Sequence, residues 1–317
     1  MINYKFYNGN LSEIKSIWED IFKDPECFTG FYFSELCRDN KIFVAVDDDD
    51  VVVGMVHLNP YTAIYNGREE KVYYIVGVCV KEEYRFKGVM REMMNRVMDY
   101  MRGENMPFTF LMPKEEVYYS GLGFENIYNN IDIKFNSIVP DDKISSVSIS
   151  DIADFSDDVL AVFAKKTNKL LSDKYLFFSQ RDILYVKNLI KEHKCQRGSV
   201  FEVCKADRFI GYFSYDIYED EDGCSNNMFV ERFCIEKNHI YDILKVLKSV
   251  AIDNNCKTLS VTVPYAQKED LEWKNALVEN ERENIKLFKG KGIMAYSFLG
   301  QEELALMKNN SFFDEIV

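Results

Sequence analysis

VCVKEEYRFKGVMR, residues 78–91, is predicted to join a strand to a helix and is the most informative stretch of this chain about its fold. The apolar run that leads into it, residues 72–80, is rich in β-branched and aromatic side chains, and a helical apolar stripe begins directly after Gly88. The loop therefore lies where the first backbone N–H groups of a helix have no partners inside the helix and can bind an anion. This arrangement predicts a pyrophosphate site and points to a ligand of the coenzyme A type.

Glycine and basic side chains support the prediction of an anion site in this loop. Gly88 lets phosphates approach the main chain closely. Arg85, Lys87 and Arg91 add positive charge to a chain whose formal net charge is −13. The alternative interpretation is an ordinary strand–turn–helix connection with scattered surface cations.

The same residues resemble the signature of the GNAT N-acetyltransferases, which is a strand followed by Arg/Gln-x-x-Gly-x-Gly/Ala and a helix. Here the signature runs from Arg85 to Met90, with Met90 at the position where the family has a small residue. The resemblance implies acetyl-CoA as the cosubstrate. It implies a cofactor site formed by Val78, Cys79, Val80, Arg85, Phe86, Lys87, Gly88, Val89, Met90 and Arg91.

A wider pattern is similar to the Eis-like branch of this family. Leu-Met-Pro at 111–113 is followed by a Tyr-x-x-x-Gly-Phe segment made by Tyr119, Gly123 and Phe124. In that branch a GNAT domain precedes a second, degenerate GNAT domain and then a sterol-carrier-like domain. The fold class that follows is α/β (α+β), with tandem GNAT folds on a mixed central sheet flanked by helices and a degenerate second unit.

The expected domains are an acetyl-CoA-binding GNAT domain at 1–138, a degenerate GNAT-like domain at 149–299 and a C-terminal tail at 300–317. A length of 317 residues fits two domains. The polar segment 137–150 contains Pro140 and lacks an apolar period, which is typical of a linker. No glycine occurs between Gly223 and Gly290, so we expect no cofactor at the strand–helix junction of the second unit. The tail is too short for a sterol-carrier-like domain.

Acetyl transfer from a thioester to an amine requires a polarised carbonyl, a neutral amine and a proton for the leaving thiolate. A backbone N–H near Val78 or Cys79 is the candidate for polarising the carbonyl. By similarity to the family, the phenol of Tyr119 would lie near the sulfur and protonate it. A phenol suits this role because its ordinary pKa of about 10 keeps it protonated at neutral pH. Tyr118 is the alternative.

The sequence leaves the general base open. Some family members carry a glutamate eleven residues before the first signature residue, where this chain has Tyr74. The Eis-like branch uses its own C-terminal carboxylate, which suggests Val317 if the apolar tail folds back onto the first domain. Water-mediated deprotonation is a further alternative. The remaining carboxylates near the motif are Glu69, Glu70, Glu82, Glu83, Glu115 and Glu116.

The acidic composition favours a cationic acceptor and argues against binding of nucleic acid or of an anionic membrane. Together with the resemblance to the Eis-like branch, it predicts acetylation of a primary amine of a small polycationic molecule or peptide. The alternative is a non-catalytic acyl-CoA-binding sensor or interaction module, because Tyr74 replaces the glutamate and the third domain is missing.

Cysteine and histidine usage gives no sign of a metal site. The eight cysteines include no C-x-x-C pair, and only three histidines occur. The N-terminus lacks a signal-peptide pattern and no run of 18 apolar residues occurs, so a cytoplasmic protein is expected. The oligomeric state stays open, a homo-oligomer included.

Overall fold

Strands and helices alternate along the chain in the computed structural model, which describes residues 1–139, 147–220, 223, 225–265, 271–281, 284–308 and 310–313. The strands up to residue 139 are β1 Asn3–Phe6, β2 Lys41–Val46, β3 Val52–Tyr65, β4 Arg68–Val80, β5 Phe108–Leu111 and β6 Glu125–Phe135. The α-helices of this part are α1 Leu11–Phe22, α2 Glu26–Phe31, α3 Val89–Gly103 and α4 Val117–Ser120.

The rest of the described chain continues the alternation. Its strands are β7 Val147–Asp151, β8 Phe177–Ser179, β9 Ser199–Lys205, β10 Arg208–Glu219, β11 Asn226–Ile235, β12 Cys256–Tyr265, β13 Ile285–Lys289, β14 Ile293–Ser297 and β15 Ser311–Phe312. Its α-helices are α5 Asp157–Ser172, α6 Ile183–Cys195, α7 Ile240–Asp253, α8 Leu271–Glu281 and α9 Gln301–Met307.

The main path of the sheet runs β1-β2-β3-β4-β5-β14-β6-β12-β11-β10-β9-β7. Most neighbours are antiparallel, but β4 with β5 and β11 with β12 are parallel. Each of these two parallel pairs is joined by a crossover helix, α3 in the first case and α7 in the second. The predicted fold class, an α/β protein with a mixed sheet flanked by helices, is confirmed.

The β3–β4 hairpin is longer than the apolar runs predict. The apolar pattern alone predicts strands at 51–59 and 72–80, yet the two strands stay paired up to Tyr65 and Arg68. Asn66 and Gly67 both have positive φ, at 47° and 79°. Asn-Gly in a two-residue loop favours this left-handed geometry, whose twist matches that of the flanking strands. The two strands of the hairpin therefore stay paired beyond the apolar runs in the sequence.

The methionine-rich stripe of α3 packs against the sheet, as its helical spacing predicts. Met93, Met94, Val97, Met98 and Met101 are buried in the main core with β2, β3 and β4. Unbranched thioethers fill the irregular gaps between a helix and a twisted sheet. This packing fixes the direction of α3, and with it the position of the helix N-terminus beside the end of β4.

The order of pairings in the first half recurs in the second. β2, β3 and β4 are antiparallel neighbours, and α3 then leads to β5, which is parallel to β4. In the same way β9, β10 and β11 are antiparallel neighbours, and α7 leads to β12, which is parallel to β11. The division into domains at 138 and 149 stays a prediction.

The C-terminal part of the described chain returns to the first half. β14, a stretch that the sequence predicts as a strand, inserts between β5 and β6. β15 pairs with β8, which in turn pairs with the end of β3. Phe313 follows β15 and stacks on Phe110 of β5, with ring centroids 4.3 Å apart. Residues assigned to the second unit and to the tail thus complete the sheet and core of the first unit.

Neither a metal centre nor a membrane span stands out in the part of the chain that the structure describes. No group of three or more His, Cys, Asp or Glu side chains there is arranged to hold a metal ion. No helix there is long and apolar enough to cross a membrane.

Candidate active site

The loop between β4 and α3 turns at two residues with a left-handed backbone. After a single 3-10 turn at Glu82–Tyr84, Phe86 has φ +61° and Gly88 has φ +79°. Gly88 is the N-cap residue of α3, and no side chain among the described residues caps the helix there. The first N–H groups of α3 are therefore available to an anion.

Gly88 meets the backbone requirement of this turn and leaves space in front of the helix. A side chain at this position would meet no atom within 4 Å. Its left-handed conformation costs any other L-residue about 1 kcal/mol. Glycine is thus favoured by conformation, and the open space lets a phosphate reach the main chain.

Three cationic side chains surround this helix terminus. Arg85 Nε donates a hydrogen bond of 3.1 Å to the carbonyl oxygen of Val80, which ties the loop to the end of β4. Lys87 Nζ lies 5.3 Å from the centroid of the Tyr84 ring. Arg91 is exposed on the first turn of α3. These charges would add to the helix dipole in attracting a diphosphate.

A bulge interrupts β4 just before the loop. The register between β3 and β4 shifts between Met55 and His57. Gly77 lies in the bulged stretch with φ +61°, and a Cβ on it would come within 2.5 Å of the Trp18 ring. Trp18 itself is buried. The bulge is therefore held by direct packing of an indole against a glycine, and it redirects the backbone N–H groups that follow.

The edge of β4 beyond the bulge has no strand beside it on one side. β4 and β5 pair at two register positions, Tyr73 with Thr109 and Tyr74 with Phe110. Outside the bulge at 77–78, residues 75–80 pair with β3 on the other side, and within the described chain no strand pairs with their second edge. An extended chain can dock along such an edge as an additional strand. The structure places the predicted residues Val78, Cys79 and Val80 on this stretch.

Tyr119 faces this stretch from the short helix α4. Its side chain is only 8% exposed, and its ring packs edge-on against Phe124 at 6.0 Å. The pKa of its phenol is raised to about 12, mainly because burial disfavours the phenolate and additionally through the electrostatic effect of the Cys79 thiol. No hydrogen bond to the hydroxyl is found among the described residues. Tyr119 is therefore a protonated phenol within electrostatic reach of β4.

Tyr118, the alternative, has a different environment. It is 57% exposed on the outer side of the same helical turn. Consecutive residues of a helix point in directions about 100° apart, so one of the two must turn away from the sheet. The structure brings Tyr119, and not Tyr118, together with the end of β4.

The candidate general bases lie in varied environments, and none of them is paired with Tyr119 in the described structure. Tyr74, at the position of the family's glutamate, is buried and its ring lies 5.1 Å from that of Phe110. Glu116 is ion-paired to Lys289 at 3.0 Å, which lowers the pKa of its carboxyl. Glu69 accepts a hydrogen bond of 2.7 Å from Gln180. Glu82, Glu83 and Glu115 are exposed and Glu70 is partly buried.

The C-terminal segment approaches the same region. Phe313, the last described residue, is buried, and its backbone N–H donates to the hydroxyl of Tyr128 at 3.2 Å. Its ring stacks on Phe110, beside the end of the β4–β5 ladder. The tail therefore folds back onto the first half up to this point. Val317 lies outside the described residues, and a role for its carboxylate stays a prediction.

The sequence interpretation did not single out Gly77, Trp18 or Phe313. An isolated glycine inside the apolar run 72–80 is a bulge signal and would have identified Gly77. Trp18 and Phe313 reach the site only through tertiary contacts. No local pattern distinguishes them from other buried aromatic residues of the chain.

Residues 6–127 match the family model described as an acetyltransferase (GNAT) domain. The match includes the uncapped N-terminus of α3, the bulged β4 and Tyr119. The site accordingly lies within the part of the chain that is similar to a GNAT acetyltransferase domain, and the match supports transferase activity with an acyl-CoA cosubstrate. The predictions of transferase activity and of such a cosubstrate are confirmed at this level.

Solved structures are similar over nearly the whole chain. A probable N-acyltransferase from Enterococcus faecalis is 12% identical, with a TM-score of 0.70 over 97% of this chain and 74% of that one. N-myristoyltransferase of Saccharomyces cerevisiae with bound myristoyl-CoA is 8% identical, with a TM-score of 0.59 over 93% and 82%. Eis1 of Mycobacterium abscessus is 11% identical, with a TM-score of 0.56 over 92% and 73%. At these identities the likeness shows the fold, and no curated protein matches the chain.

Proposed function

We propose that this chain is an acetyl-CoA-dependent N-acetyltransferase that acetylates a primary amine of a small polycationic molecule or peptide by direct transfer. One observation carries the proposal. The uncapped N-terminus of α3 follows the edge of β4 that no described strand covers, and the buried phenol of Tyr119 lies within electrostatic reach of Cys79 on that edge. A single extended thioester could thus reach an anion site, a strand edge and a proton donor together.

The cofactor would be held mainly by main-chain groups. Its diphosphate would accept hydrogen bonds from the first turn of α3 at Gly88, with Arg85, Lys87 and Arg91 adding charge. The pantetheine arm would pair with residues 75–80 as an added strand. The thioester carbonyl would then accept a hydrogen bond from the N–H of Val78 or Cys79, which the bulge at Gly77 directs out of the regular ladder.

Transfer proceeds by attack of the neutral amine on the polarised carbonyl carbon. Negative charge develops on the carbonyl oxygen and is stabilised by the backbone N–H. As the C–S bond breaks, the Tyr119 hydroxyl donates its proton to the departing thiolate. Because the pKa of this phenol is about 12, the proton is in place at every pH at which the amine reacts.

The base that removes the proton from the amine is the least defined part of the proposal. The carboxylate at Val317 is one candidate, supported by the return of the tail to Phe110 through Phe313. Water is the other. For an amine with a pKa of 8 to 10, about one molecule in ten to one in a thousand is neutral at pH 7. A base is therefore helpful without being indispensable.

The second half is proposed as a degenerate GNAT-like unit that helps to shape the acceptor cleft. The recurring strand order, β9 to β12 with α7 as crossover, supports this view. The junction before α7 contains no glycine, and its N-cap residue, His239, has φ −115°. This junction lacks the left-handed turn that opens the first site. The net charge of −13 supports a cationic acceptor.

The proposal is tested by measuring the release of free CoA thiol from acetyl-CoA. The acceptors are a panel of diamines, polyamines, aminoglycosides and lysine-rich peptides. We expect acceptor-dependent release and a rise in melting temperature with CoA. A rise in melting temperature without thiol release for any amine would favour the non-catalytic acyl-CoA sensor, for which Tyr74 in place of a glutamate is the supporting observation. Unchanged melting at saturating CoA would overturn both functions.

A further inference from the structure

The loop at the N-terminus of α3 carries two aromatic residues, and only one of them is used by the fold. The hydroxyl of Tyr84 donates to Asp47 Oδ2 at 2.8 Å, and Lys87 Nζ lies over its ring. Phe86 is 106% exposed, and no ring or cation contact to it is found in the described part of the chain. Tyr84 anchors the loop, whereas the Phe86 ring stands in solvent.

The backbone of Phe86 makes this exposure costly. Its φ of +61° lies in the left-handed region, where bulky residues are rare because Cβ crowds the carbonyl oxygen. Glycine or asparagine would adopt the same conformation at lower cost. Neither the backbone strain nor the solvation of the ring is offset by a packing contact with any residue that the structure describes. Strained conformations of this kind cluster where a ligand is bound.

In the proposed complex, the direction of the cofactor would place its nucleoside at this ring. The pantetheine arm would leave the diphosphate along the β4 edge that includes Cys79. In coenzyme A the adenosine is attached at the other end of the diphosphate, so it must leave the helix terminus on the opposite side, across the loop. Phe86 precedes Gly88 by two residues and is the ring that meets a purine on this path.

We propose that Phe86 is the platform on which the adenine of acyl-CoA stacks, with the exposed cations Arg85 and Lys87 on either side of it. The inference rests on the proposed function, because it takes the diphosphate to be bound at Gly88. Aromatic side chains stack on any base, since each base has a π-face. Contact with the purine removes the exposed ring from water, and the loop strain then serves to hold the ring in place before the ligand arrives.

Calorimetric titration with two ligands tests the platform. CoA carries the adenosine, and 4′-phosphopantetheine keeps the pantetheine arm and a phosphate but lacks it. We expect Phe86→Ala to bind CoA about tenfold more weakly and 4′-phosphopantetheine as wild type does. Phe86→Trp should restore CoA binding, because indole offers a larger stacking face. Phe288→Ala, a change of a half-exposed ring on β13, is the matched control and should alter neither affinity.

The outcomes separate this inference from the proposed function. Wild-type CoA affinity in Phe86→Ala overturns the platform alone. Equal weakening for both ligands also overturns it, because the residue would then shape the loop rather than contact the base. Wild-type protein that binds neither ligand overturns the cofactor site and the platform together. Since the side chain is fully exposed, Phe86→Ala is expected to fold, which a thermal melt verifies.

Discussion

Among single residues, Tyr119 is the proposed general acid. We expect Tyr119→Phe to lower turnover by about 100-fold while the affinity for CoA stays within twofold of wild type, because a lost general acid affects only the transition state. Steady-state thiol release and calorimetric titration with CoA measure the two quantities. Tyr118→Phe, on the exposed neighbour, is the control and should retain activity. Full activity of the Tyr119 variant would remove this phenol from the mechanism.

His57 makes stability depend on pH. The imidazole of His57 is fully buried behind the β4 bulge. Tyr32 Oη lies 2.9 Å from its Nδ1, and the Cys37 thiol is a further titratable neighbour. Burial lowers its pKa from 6.5 to about 3. Because the unfolded chain takes up a proton below pH 6.5 and the folded chain does not, stability is full above that pH and is lost as the pH falls towards 3.

This dependence can be isolated by comparing two proteins. Between pH 7 and pH 5 the His57 contribution to the free energy of unfolding should fall by ~2 kcal/mol. His57→Gln, which keeps a hydrogen-bonding group for Tyr32, should lose correspondingly less over the same interval. Urea unfolding of both proteins at the two pH values measures the difference. Equal pH slopes would show that the imidazole titrates freely in the folded protein.

Among the secondary-structure elements, β4 links the core to the proposed thioester-binding edge through its bulge, because Trp18 packs against Gly77. We expect Gly77→Ala to destabilise the protein by about 2–4 kcal/mol, since it adds a contact with the Trp18 ring to the cost of a left-handed residue. Gly67→Ala is a matched control. Gly67 also has positive φ, at 79°, but a Cβ there meets no atom within 4 Å, so about 1 kcal/mol is expected.

The same pair of variants reports on catalysis. Displacement of the bulge in Gly77→Ala would move the N–H groups of Val78 and Cys79. At a temperature where both glycine variants are folded, we therefore expect a lower turnover for Gly77→Ala than for Gly67→Ala. Thiol release at such a temperature checks this. Equal turnover in the two glycine variants would show that the bulge is structural and does not position the thioester.

At the scale of the whole molecule, the C-terminal segment connects the second half to the site. Removal of residues 314–317 should lower turnover tenfold or more if the base is the carboxylate at Val317, with CoA affinity unchanged. Phe313 stays in place in this variant, so the stack on Phe110 and the melting temperature should be retained. Full turnover after truncation would exclude a base on this segment and leave the deprotonation to water.

Much of the site loop could be predicted from sequence because it is set by local rules. Gly88 with positive φ, the uncapped helix start and the methionine face of α3 depend on backbone sterics and helical spacing over a few residues. The apolar stretch 293–299 predicts a strand, and β14 ends within two residues of it, but the stretch does not predict the partners β5 and β6. The residue pattern of a strand indicates which of its faces is apolar. It does not indicate which other strand of the sheet will be its neighbour.

The amino-acid pattern alone was enough to predict the glycine-containing strand–loop–helix junction at Gly88 and the α/β alternation, and to limit the proposed proton donor to Tyr118 or Tyr119. Tertiary contacts were needed to show that Tyr119 lies within electrostatic reach of Cys79, that Trp18 packs on Gly77, and that β14 and Phe313 return from the C-terminal region to the first half. The physical reason is the range of the forces involved. Dihedral preferences and unpaired helix amides depend on residues that are neighbours in the chain. Strand pairing and aromatic packing join residues that are far apart in sequence, so the local pattern does not predict which of them come into contact.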